Sequence, residues 1–182
     1  MNERTPGIRP RPSLGRRLDI AFRVSFPAVS TALALLFTAA PLRLPGQSEL
    51  QGALALGMVF FWSLHRPESM PPLAVFALGL LADLLDFGPV GVQVLVLLIA
   101  HGLAFSWRLA LPRHGFVGVW MAFLAVAVGA AALQWGLTAL LAWQILPAAP
   151  ALFQATLSAG LYPLLALPLA RAQATLAEPD QA

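Results

Sequence analysis

Six apolar runs, each ended by arginine, proline or glycine, leave this chain a single solvent in which it can fold. They are Val24 to Leu42, Leu50 to Leu64, Pro72 to Phe87, Val92 to Trp107, Phe116 to Trp143 and Ala151 to Ala170. At ~1.5 Å per residue, a helix of about 20 apolar residues crosses a bilayer core. The second run is barely long enough, and the fifth must tilt, bend or protrude. Of the 182 residues 59% are hydrophobic and 10% charged, whereas soluble domains carry about 25% charged residues. Mean hydropathy is +0.77. A water-soluble fold would lack the polar groups to cover its surface. The expected fold class is therefore an all-α membrane protein with six transmembrane helices in residues 20–171. A disordered basic tail is expected over 1–19 and a polar tail over 172–182.

The arginines set the expected orientation. All cationic residues are Arg, and six of the eleven (Arg4, Arg9, Arg11, Arg16, Arg17 and Arg23) precede the first run. Cytoplasmic segments concentrate such charge. Six crossings with an inner N-terminus put ten of the eleven arginines inside and leave only Arg43 outside, a bias that five crossings would violate. Both termini are thus expected on the cytoplasmic side, with Trp62 and Trp107 near the inner interface and Trp143 near the outer one. Arg16-Arg17 and Ala39-Ala40 mimic a cleavable export signal, but the first run exceeds a signal core and reads as an uncleaved anchor. Asp19 and Arg23, four residues apart, are placed to neutralise each other.

Several function classes find no support. A basic tail with otherwise isolated arginines is not the distributed basic face that nucleic acid requires. There is no cysteine, and His65, His101 and His114 lack ligand spacing, so no metal site is expected. No nucleophile elbow is present, His101 near Ser106 reads as coincidence, and a chain without lysine has no phosphate-binding Gly-Lys-Ser/Thr loop. Neither a catalytic set nor a cofactor is expected.

Two features stand out within the apolar runs. On the third helix Pro72, Gly79, Asp83 and Asp86 fall within a narrow arc at 100° per residue, just ahead of Gly88-Pro89-Val90-Gly91. An acid in such a helix finds water or a partner. Three readings stand: carboxylates in interfacial water, an internal hydrogen-bonded contact, or an ion or substrate site. Arg43 is expected near Asp86. On the fifth helix Gly118, Ala122, Ala125, Gly129, Ala132 and Gly136 form one stripe of small residues. Such stripes let helix backbones approach closely, either within the molecule or against another protein's helix. Gln134 points away from the stripe.

Gly79-Leu80-Leu81-Ala82-Asp83 followed by Gly88-Pro89-Val90-Gly91 resembles the MreD family of small integral membrane proteins of the bacterial rod-shape machinery. The Trp62/Pro67 boundary and Gly160-Leu161-Tyr162-Pro163 ahead of Arg171 are similar to that family too. The likeness spans roughly Val24 to Arg171 and is strongest over Phe61 to His101. Gly79, Asp83 and Gly91 are the residues it carries over. Asp86 departs from the family pattern, and Gly88 stands one place later than usual. The resemblance implies a non-enzymatic scaffold of the bacterial inner membrane that binds MreC. It would help couple the MreB filament to RodA and a penicillin-binding transpeptidase. It also implies a fold similar to the six-helix substrate-binding subunit of energy-coupling-factor transporters. From that comes an alternative, a capture subunit for a vitamin-like molecule, which needs convergent polar groups at the outer ends of the helices. The outer loops offer mainly Arg43, Gln47, Glu49 and Gln144. An ion-coupled transporter would use Asp83 as carrier, with Gln93, His101, Gln134 and Gln154 as deep polar partners.

Overall fold

The computed structural model describes residues 14–40, 46–86 and 88–177, and among these it is all helical. The α-helices are α1 (Leu14–Ala39), α2 (Gln47–His65), α3 (Pro72–Asp86), α4 (Val92–Trp107), α5 (Gly115–Ala142) and α6 (Ala149–Ala177). Short 3-10 turns, Pro67–Ser69 and Leu111–His114, lead into α3 and α5. Three helices are long and apolar enough to cross a membrane, through Ile20–Ala39, Leu111–Ala142 and Ala149–Thr175. The outer surface is greasy, with Phe37 on α1, Leu73 on α3 and Leu164 on α6 well exposed.

Both long terminal helices extend past the apolar runs. Residues 14–19, expected in the tail, belong to α1, and residues 172–177 belong to α6. Leu14, Arg16, Arg17 and Leu18 at one end and Ala172, Gln173 and Ala174 at the other are strong helix formers. Helix propensity therefore carries these ends beyond the point where hydropathy stops. The rest of both expected tails, and the expected place of Arg43, lie outside the described residues, as does the Asp19 side chain. Pro27 lies inside α1, and its carbonyl accepts the hydroxyls of Ser30 (3.0 Å) and Thr31 (2.7 Å).

The helix at the centre is α2, which packs on all five others, most extensively on α6. Gln51 to Leu64 is buried almost without interruption. Phe60 meets Phe123 of α5 and Tyr162 of α6 at centroid distances of 5.2 and 6.0 Å, and those two rings stack at 4.2 Å. Tyr162, singled out in the Gly-Leu-Tyr-Pro sequence, is therefore a core residue. Trp62, expected near the inner interface, does not face outward. It is fully buried and packs edge-on to Phe26 of α1 at 6.0 Å. Trp143 is almost fully exposed, ending α5 in a left-handed conformation (φ 52°).

Candidate functional site

Among the described residues α3 and α4 form the most extensive helix pair. The first N–H groups of any helix lack partners within it. Here Asp83, a full turn before the end of α3, supplies them from the neighbouring helix. Its Oδ2 accepts from the amides of Gly91 (2.8 Å) and Val94 (3.3 Å), and its Oδ1 from Gln93 (2.9 Å). The carboxylate also sits at the positive end of the α4 dipole. Asp83 is 5% exposed. Of the three readings for the acid, the internal hydrogen-bonded contact describes Asp83, and the water-bathed one does not.

Glycine at two positions makes this junction possible. A Cβ on Gly79 would lie 2.6 Å from the Cα of Val94 and 3.1 Å from its nitrogen, so only a bare backbone lets α3 and α4 approach this closely. Gly91 stands just ahead of α4 with φ +100°, a conformation L side chains disfavour, and has open space around it. Gly88 has neither constraint, since a Cβ there would make only an ordinary contact with Asp86 at 3.5 Å.

The common arc expected for Pro72, Gly79, Asp83 and Asp86 is divided by the packing. Gly79 and Asp83 are buried against α4, whereas Pro72 and Asp86 are exposed. Asp86 turns instead toward a cavity of about 290 Å³ where α2 and α6 begin and α3 and α5 end. Glu49, Gln134, Trp135 and Gln154 line it with Asp86, and Asp86 feels the negative charges of both Glu49 and Asp83. Gln154 donates to Gln134 at 3.0 Å, which gives Gln134 the partner its position off the small-residue stripe required. A narrow crevice adjoins the cavity, sharing Ser48, Asp86 and Gln134 with it and reaching Gln51 and Gln93. Sequence reading missed Gln51. The signal was the one amide within the apolar run Leu50 to Leu64, the kind of residue that marks a function in a membrane segment.

The stripe on α5 is open to the outside. Gly129 and Gly136 have nothing within 4 Å of a would-be Cβ, Ala125, Gly129 and Ala132 are exposed, and Gly118 would meet only His114 of the preceding turn. Beside the stripe an apolar groove of about 270 Å³ runs between α4 and α5, lined by Ile99, Leu103 and Trp107 on one wall and Ala125, Gly129 and Leu133 on the other.

Several of the remaining polar groups have structural partners, although the buried indole N–H of Trp62 has none among the described residues. His101 Nδ1 lies 2.8 Å from Ser63 Oγ, both buried between α4 and α2, while Ser106 donates to the carbonyl of Leu103. Gln47, expected as an outer-loop polar group, caps α1 by donating to the carbonyls of Thr38 and Ala40, both at 2.6 Å. Comparisons of this chain with protein-family models, with curated proteins and with solved structures found no match.

Proposed function

We propose that the chain is a non-enzymatic membrane scaffold whose α4–α5 face seats the transmembrane helix of a partner protein, and that the partner is MreC of the rod-shape machinery. The observation that supports this reading is the uncovered stripe of Ala125, Gly129 and Gly136 beside an apolar groove. In lipid, helix association depends on close backbone approach rather than on a hydrophobic drive, and small residues on both partners allow it. Large side chains cover most of the other lipid-facing surface, so this face is the best suited to a second helix. The α3–α4 junction would hold α4, one wall of the groove, in a fixed place.

On this reading all six helices cross the bacterial inner membrane, both termini are cytoplasmic, and the arrangement is similar to the six-helix capture subunit of energy-coupling-factor transporters. MreB, RodA and a penicillin-binding transpeptidase would join through MreC. The test is a photo-crosslinker at Val128 on α5, with a matched one at Leu36 on α1, in cells producing tagged MreC. Crosslinks to the MreC transmembrane segment from Val128 alone, reduced at least tenfold by Gly129→Leu, are expected. Equal capture from Leu36, or full capture by Gly129→Leu, overturns the docking face. Reporter fusions that place the two chain ends on opposite sides overturn the six crossings.

A further inference from the structure

The cavity at the Asp86 end combines an unusual set of groups. Its described lining contains two carboxylates, Glu49 and Asp86, and no cation. Ser48 donates to Glu49 at 2.9 Å, but no salt bridge forms at either acid among the described residues. The adjoining crevice ends at Gln51, which is only 5% exposed and whose Nε2 has no hydrogen-bond partner. An unmade hydrogen bond on a buried amide costs about 1–3 kcal/mol, so a chain that keeps this amide gains something from it elsewhere. At Gly52, one residue on, a Cβ would stand 2.6 Å from Gln154 Nε2 and 3.9 Å from Gln93 Nε2, so a side chain there would displace the Gln154 amide. The α2 backbone thus lies directly beneath the amides of α4 and α6. Trp135 and Leu146 close the cavity on its apolar side, tied together by a 3.1 Å bond from the indole N–H to the Leu146 carbonyl.

We infer that this cavity is a binding site for a small organic ammonium ion that also carries a hydroxyl or carbonyl oxygen. The ammonium lies between Glu49 and Asp86, and the oxygen faces the crevice, meeting the Gln51 amide through the one water the crevice can hold. Each ligand group answers a feature of the site. A cation relieves the repulsion of two carboxylates that share one cavity. An acceptor answers the donor at Gln51. The volume, at the lower edge of the ~300–1,000 Å³ usual for ligand pockets, suits a molecule of a few heavy atoms. A bare metal ion fits less well, since no group of three or more acidic, histidine or cysteine ligands gathers among the described residues. The inference is independent of the docking face on α4 and α5, which involves neither carboxylate.

The ammonium group belongs equally to free solutes and to the phosphatidylethanolamine headgroup, and the experiment separates the two. The full chain in maltoside micelles is dialysed to equilibrium against radiolabelled ethanolamine or glycinamide, with acetate as the anionic control. Saturable binding of at least one amine is expected, weakened at least tenfold by Asp86→Asn and by Glu49→Gln. Competition by phosphatidylethanolamine doped into the micelles assigns the site to a headgroup, and its absence assigns it to a free solute. Gln51→Leu is expected to weaken binding while leaving thermal stability equal or higher, because it deletes an unpartnered amide. A purely structural Gln51 would instead lower stability and leave binding intact. If neither amine binds saturably, if acetate binds as well, or if Asp86→Asn and Gln51→Leu both bind as wild type, the inference fails. Should Gln51→Leu not fold, the Asp86→Asn result decides.

Discussion

Asp83 and Asp86 leave α3 three residues apart, and their surroundings differ in nearly every respect. Asp83 is buried, accepts three backbone N–H groups and closes the start of α4. Asp86 is exposed on a cavity that it shares with a second carboxylate. Three residues leave them only about 60° apart on the helix, and what separates them is what each meets: the start of α4 reaches Asp83, whereas Asp86, the last residue of α3, lies past it on the cavity. Chemistry alone does not tell a structural acid in a membrane helix from a receptive one. The presence of backbone donors within reach does.

The contrast can be broken most directly by removing each carboxylate in turn. Asp83→Ala leaves three helix-start amides without their acceptor, and with charged hydrogen bonds worth about 1.5–3 kcal/mol each the loss is expected to reach about 3 kcal/mol or more. Reversible unfolding in mixed detergent micelles measures it. A loss below about 1 kcal/mol would mean that the α3–α4 junction does not depend on Asp83. Next comes Gly79→Ala, which drives a methyl group into the Val94 backbone. Overpacking of this kind costs about 1–3 kcal/mol, and the same unfolding assay should show it. Gly91→Ala meets no neighbour, so its expected cost of about 1 kcal/mol comes from backbone conformation alone. Finding Gly91→Ala worse than Gly79→Ala would reverse the roles assigned to the two glycines. Smallest of all is Asp86→Ala, expected within about 0.5 kcal/mol of wild type, with its effect confined to amine binding.

Much of the architecture was legible in the sequence, because the punctuation is local. Val92–Trp107 begins and ends where glycine and arginine said it should, and Pro72 opens α3. The ends of α1 and α6 were less legible, since their outer turns are helical by propensity without being apolar. Trp62 misled for a related reason. An aromatic near a helix end reads as an interface anchor, and only the arrival of Phe26 from another helix shows it to be core. The Asp83 motif was visible as a motif, but its bonding depends on how the Gly88–Gly91 bend folds α4 back onto α3. The cavity was almost invisible. Glu49, Asp86, Gln134 and Gln154 come from four different helices, and no spacing along the chain relates them.

The placement of α2 has a consequence for biogenesis. This helix does not stand among the three that qualify for lipid by length and composition, and it is shielded by its neighbours instead. Its most extensive contact is with α6, the last of the six helices to be synthesised. During translation the aromatic face of α2 therefore stays uncovered until α6 has been made and can fold back to enclose it.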